Sequence, residues 1–114
     1  MNFITTKIEN DGIYLNEQFI ELTEQQKKLV GERSSIIVGI RPEKMEQSNF
    51  NIELNINVDI AEMLGSEKII YFNINNKKCA AKIDAQKIVE TTTTLKINTN
   101  DFLFFDAETK ERIR

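Results

Sequence analysis

Arg41 and Glu43 stand on either side of Pro42 in the run Val38-Gly39-Ile40-Arg41-Pro42-Glu43. Proline withdraws a backbone donor and confines the preceding residue to extended geometry, so the two charges flank a chain corner. Charges at a corner can brace it, against each other or against backbone carbonyls. Alternatively, Arg41 can meet a carboxylate of a partner subunit in a bidentate pair. The bracing role is the default, and Arg41 and Glu43 are the candidate contact residues. Nothing else in the chain points to catalysis. Histidine is absent, so the usual general base and His-ligated metals are absent with it. The single cysteine, Cys79, shares a strand face with Ala81 and Ile83 and is expected to be a small buried apolar residue. Asp and Glu recur as the polar half of alternating segments, and no two stand out as an acid and base set.

Two further clusters read as structure. Phe102, Leu103, Phe104 and Phe105 lie between Asp101 and Asp106, whereas a stacking platform for single-stranded nucleic acid pairs exposed aromatics with basic groups. They are expected in the core. Thr91 to Thr94 is β-branched strand material in preference to a phosphate site. The formal net charge is -3, with the signs mixed along the chain, which argues against a nucleic-acid partner held by phosphate neutralisation. No apolar run approaches the roughly 20 residues that cross a bilayer, and no secretory signal precedes the first strand. A hydrophobic fraction of 40% and a charged fraction of 29% suit a folded domain, and 114 residues suit one such domain.

The elements that must position these residues are mostly strands. Phe3–Ile8 and Ile13–Leu15 are β-rich segments separated by Asn10-Asp11-Gly12, which predicts an opening β-hairpin. Phe19–Leu22 is a further strand. Thr23-Glu24-Gln25-Gln26 has the form of a capping box, and Gly31 can supply the helix stop, so a short helix is expected from Glu24 to Val30. Ser35–Ile40 is a nearly continuous apolar run and is expected as the central strand, covered on both faces. Ile52, Leu54, Ile56, Val58 and Ile60 alternate with polar residues, which places all five on the inner face of a half-buried strand. Lys68–Ile74 and Lys78–Ile83 pair about Asn75-Asn76-Lys77, with later strands at Thr92–Ile97, Phe102–Phe105 and Arg112-Ile113. Without a βαβ rhythm, the fold class is all-β, a barrel or sandwich with one short helix. One domain, 1–114, is expected, and Glu46–Asn49 is a candidate boundary between sub-barrel parts 1–47 and 48–114.

Gly39-Ile40-Arg41-Pro42-Glu43, then Leu64-Gly65-Ser66-Glu67, then Phe105-Asp106 with Thr109 and Ile113 occur in an order that resembles the C-terminal accessory domain of sugar-type ABC importer ATPases, the maltose-transporter class. Met1-Asn2-Phe3 is similar to the segment where those proteins leave the nucleotide-binding domain, so Met1 is expected to be internal to a longer protein. The resemblance implies an OB-like β-barrel of the TOBE type. It further implies a regulatory and dimerisation domain of an ATP-binding subunit for carbohydrate import. The implied partners are the ATPase domain of the same protein, a second copy of that subunit and the transporter's membrane subunits. The implied location is the cytoplasm, at the cytoplasmic face of the cell membrane. ATP and Mg would belong to the parent protein, because Gly-x-x-x-x-Gly-Lys-Ser/Thr does not occur here. This chain is expected to hold no cofactor and to be no enzyme. Lys110 departs from the family's closing turn, where glycine is usual. Two other readings stay open: a TOBE barrel for a small oxyanion or saccharide, and an OB-type nucleic-acid binder.

Overall fold

The computed structural model describes residues 1–114. Strands β1 (Asn2–Lys7), β2 (Gly12–Leu15) and β3 (Gln18–Glu21) precede helix α1 (Glu24–Val30). Then come β4 (Ser35–Ile40), β5 (Ile52–Leu64), β6 (Glu67–Ile74), β7 (Lys77–Asp84), β8 (Thr92–Ile97), β9 (Leu103–Phe105) and β10 (Arg112–Ile113). The strands pair in the orders β1-β4-β9-β10, β2-β3 and β7-β6-β5-β8. The all-β class with one helix is as the sequence predicts, although the ladders form three sheets in place of one hydrogen-bonded ring.

β4 is buried from Ile36 to Ile40 and pairs antiparallel with β1 on one edge and β9 on the other. It is the central strand its unbroken apolar run predicts. A single cluster of 22 buried residues joins β4 to Leu54 and Ile56 of β5, Ile70, Phe72 and Ile74 of β6, and Leu95 and Ile97 of β8. β9 and β10 return to the sheet begun by β1 and β4, so both large sheets draw on residues beyond position 48.

The helix start follows its sequence signal. The Gln26 amide donates to Thr23 Oγ1 at 3.2 Å, and the Thr23 amide donates to Gln26 Oε1 at 3.0 Å. Gln26 Nε2 also donates to the Thr99 carbonyl at 2.7 Å, which ties α1 to the connection between β8 and β9.

The opening hairpin requires correction. Asn10 and Asp11 do adopt positive φ, and Glu9 bridges Gly12, yet β1 pairs with β4 and not with β2. The Ile8 amide donates to the Ser34 carbonyl, so the chain stays on the β4 sheet until the turn and then leaves it. The true first hairpin is β2-β3, closed by Asn16 and Glu17 at φ 50° and 67°. Two positive dihedrals in a two-residue loop make the primed turn that matches strand twist. Asn75 and Asn76 close β6-β7 in the same way, as their residue types predict. The two turns clasp each other: the Asn16 amide donates to Asn75 Oδ1 at 2.9 Å, and the Asn75 amide donates to Asn16 Oδ1 at 3.1 Å.

The last turn is built around Asp106. Its Oδ1 accepts from the amides of Glu108 and Thr109 at 2.8 and 2.9 Å, and its Oδ2 accepts from Arg33 Nε at 3.1 Å. The amides of Thr109 and Glu108, then the Arg33 side chain, hold the carboxyl at about 2, below the ordinary 3.8. Lys110 follows at φ 68°, the left-handed region that glycine occupies without steric cost.

Two measurements check this turn. Lys110→Gly is expected to raise the unfolding free energy by about 1 kcal/mol in urea titrations, the steric relief being partly offset by glycine's chain entropy. The Asp106 pKa is lower in the folded state, so its stabilisation is complete above the unfolded value of 3.8 and is lost as pH falls through about 2. Thermal unfolding across that window should show a decline, and Asp106→Asn should flatten it.

Candidate interaction surface

Arg41 and Glu43 occupy the corner their sequence predicts. β4 ends at Ile40, and Pro42 opens a 3-10 turn over Pro42–Lys44, with the Lys44 amide donating to the Arg41 carbonyl at 2.9 Å. Both side chains are exposed. Neither takes part in the ion pairs of the domain, Lys27 with Glu24, Arg33 with Asp106, Lys82 with Glu67 and Lys87 with Glu46. The expected bracing by these charges is therefore not what holds the corner. Met45, fully buried, anchors it from below. The next residue, Glu46, pairs with Lys87 and accepts from the Lys96 amide at 2.9 Å. The corner is fixed by an apolar anchor and by the residues after the motif, which leaves Arg41 and Glu43 without partners inside the domain.

Cys79 is buried on β7, donates weakly to the Lys77 carbonyl, and has its thiol pushed up to about 11 by burial. A thiol in that state is no nucleophile near neutral pH. Phe102 and Phe104 are core residues, while Phe105 lies half-buried against Phe3, edge to face at 5.3 Å between ring centres. Leu64-Gly65-Ser66-Glu67 is a two-residue turn joining β5 to β6, with Gly65 at φ 62° relieving the strain expected there.

That turn caps the feature sequence reasoning missed. β5 pairs with β8 only from Ile52 to Asn57, and its contact with that side ends where the Val58 amide donates to the Thr91 carbonyl. From Ile60 to Leu64 it pairs with β6 alone, so its other edge is open. The register shifts between Val58 and Ile60, a bulge that leaves Asp59 unpaired. Such an insertion breaks the two-residue period. Ile60, which the alternation assigned to the inner face, is 61% exposed; Met63 and Leu64 beyond it are 61% and 50% exposed. Ile88, 82% exposed, lies at the same end, where the Ala85 amide donates to the Ser66 carbonyl and Lys68 Nζ to the Lys87 carbonyl. The missed signal was Met63-Leu64 directly before a Gly-Ser turn, where a solvated hairpin tip would carry polar residues.

An open strand edge with apolar side chains is a template for pairing with another chain. Natural proteins ordinarily protect such an edge with charge, proline or a covering loop. On the β5 strand of the tip Glu62 is the one charge; on β6, Glu67 is paired by Lys82 and Lys68 reaches to the Lys87 carbonyl. No helix is long and apolar enough to cross a membrane.

Residues 1–45 match the family model described as the MalK OB fold domain. The chain is 32% identical over 126 aligned positions to the Oligosaccharides import ATP-binding protein MsmX of Bacillus subtilis, covering all of this chain and 34% of that protein. It is 31% identical over 127 positions to the Multiple sugar-binding transport ATP-binding protein MsmK of Streptococcus mutans, again covering all of this chain and 34% of the relative. An uncharacterized ABC transporter ATP-binding protein of Bacillus subtilis, YurJ, is 27% identical over 99% of the chain and 35% of its own length. The chain thus spans about a third of the length of the curated relatives it matches.

The unpartnered corner yields a simple expectation. Arg41→Ala and Glu43→Ala should each leave the unfolding free energy of the chain within about 0.5 kcal/mol of the parent, as exposed side chains without contacts do. Chemical denaturation checks this, and a loss of about 2 kcal/mol or more would restore the bracing role.

Proposed function

We propose that the chain is an OB-fold domain of the type carried at the C-terminal end of ABC-importer ATP-binding proteins, a non-catalytic accessory domain of a sugar-import ATPase. In this reading it stands beside an ATP-binding domain of the same polypeptide, where ATP and Mg would be bound, at the cytoplasmic face of the membrane. It supplies contacts that hold two copies of the subunit together while the catalytic domains open and close. Regulation would enter the same way, because a partner shifts such an equilibrium only by binding one state better than the other.

The observation that carries the reading is the tip of β5-β6. Burying an aliphatic side chain contributes about 1.5–3 kcal/mol, so Ile60, Met63 and Leu64 together can offset a substantial part of the cost of association. The open β5 edge supplies backbone donors and acceptors for the same contact. Arg41 and Glu43, free of internal partners, are proposed as polar contacts to the neighbouring ATP-binding domain.

Sedimentation equilibrium of the 114-residue chain tests the contact. The parent chain is expected to self-associate as concentration rises, and Leu64→Glu together with Met63→Glu is expected to leave a monomer with an unchanged circular dichroism spectrum and Tm. A chain that stays monomeric at high concentration and also fails to stabilise the dimer of the full-length ATPase would overturn the proposal.

A further inference from the structure

A second feature lies on the flank of β5, apart from Met63 and Leu64. An open cleft of about 670 Å³ runs between β5 and the two clasped turns, within the range of roughly 300–1,000 Å³ typical of small-molecule sites. Its lining is almost entirely polar, with Ile56 the one hydrophobic residue and no lysine or arginine. Six of the ten lining residues are asparagines, which sets its chemistry: uncharged groups that both donate and accept.

The amides are held in defined orientations. On β5, Asn55 Oδ1 accepts from the Thr94 hydroxyl at 2.8 Å, and Asn57 Oδ1 accepts from the Thr92 hydroxyl at 3.2 Å. Each amide's oxygen is engaged across the β5-β8 ladder, so its NH₂ group is left as the free donor. Beside them the polarity reverses. Asn73 Nδ2 donates to Asp59 Oδ2 at 3.2 Å, which leaves Asn73 Oδ1 and Asp59 Oδ1 as acceptors. Asp59 is the unpaired residue of the β5 bulge, and the bulge brings its carboxylate to Asn73 on the neighbouring strand.

We propose that this cleft binds a neutral polyhydroxylated ligand, a saccharide. Sugar hydroxyls donate and accept at once, so they match NH₂ donors on Asn55 and Asn57 set beside the oxygen acceptors of Asp59 and Asn73. An oxyanion or a nucleic-acid phosphate would face Asp59 and Glu17 with no cation in the lining to offset them. A peptide would need apolar pockets, which the lining lacks. No group of three or more carboxylate, cysteine or histidine side chains is placed to hold a metal ion. No aromatic ring lines the cleft to stack on a sugar face, so affinity rests on hydrogen bonds alone and is weak.

The test is a titration of the ¹⁵N-labelled chain with maltotriose and with raffinose, read by the side-chain amide resonances. Those of Asn55, Asn57 and Asn73 are expected to move together and saturably with at least one sugar. Asn57→Ala and Asn73→Ala, both at exposed positions, are each expected to weaken that binding by about tenfold with the backbone spectrum otherwise preserved. Absence of movement with either sugar would overturn the proposal, as would movement caused by inorganic phosphate or calcium chloride instead, or sugar binding unchanged in both variants. The tip residues Met63 and Leu64 are untouched in every arm, so failure here is distinct from failure of the accessory-domain reading.

Discussion

β4 must be satisfied on both edges and both faces at once, and the rest of the domain is arranged to do so. Its edges are closed by β1 and β9, from opposite ends of the chain, and Ile36, Val38 and Ile40 are fully excluded from water. Gly39 is the concession this crowding demands. A β-carbon there would come within 2.8 Å of both Met1 Sδ and the Phe105 ring, so the strand stays narrow where the outer residues fold over it. Because β4 is completely occupied, the chain leaving it cannot continue straight. Pro42 turns it outward, Met45 pins the turn to the core, and β5 begins the second sheet.

The parts of the fold that were legible in the sequence are those governed by local rules. The Thr23-Gln26 capping box, the Asn75-Asn76 turn, the Gly65 turn and the apolar run of β4 each express a preference that a few neighbouring residues decide. What was hidden depended on long-range pairing. Asn10-Asp11-Gly12 does make its turn, but the choice between β2 and β4 as the partner of β1 belongs to residues 35–40. The alternation of β5 predicted its buried half correctly through Ile56 and failed at Ile60, because a bulge depends on the partner strand and has no periodic signature. Asn16-Glu17 carries no turn signature, since glutamate rarely accepts positive φ; the clasp with Asn75 supplies the compensation. Arg41 and Glu43 were legible as a corner. Their lack of internal partners was not, since it depends on where the charged residues of distant segments come to lie.

Polar side chains here act chiefly on the backbone of distant segments. Asn2 Nδ2 donates to the Ala80 carbonyl at 2.8 Å, and the Ala80 amide donates to Asn2 Oδ1 at 2.8 Å, so one amide stitches β1 to the edge of β7. Asn51 does the same with Thr99, donating to its hydroxyl at 2.8 Å and accepting from its amide at 3.0 Å. The Asn2 contact joins sheets that share no ladder, and the Asn51 contact extends the β5-β8 pairing past its last rung. They explain how three separate sheets surround one core without a closed ring, and why no buried side-chain polar atom lacks a partner.

The antiparallel pairing of β4 with β9 joins Val38 to Phe104 and Ile37 to Phe105. A ribosome delivering this chain in order would release β1, β4 and the whole β5-β8 sheet before the strand that seals β4 existed. Until then the most apolar strand of the molecule would keep one edge bare, a template for another nascent chain. The domain's period of greatest exposure to aggregation is therefore set by the time taken to synthesise the 62 residues between Ile40 and Leu103 and then β9 itself.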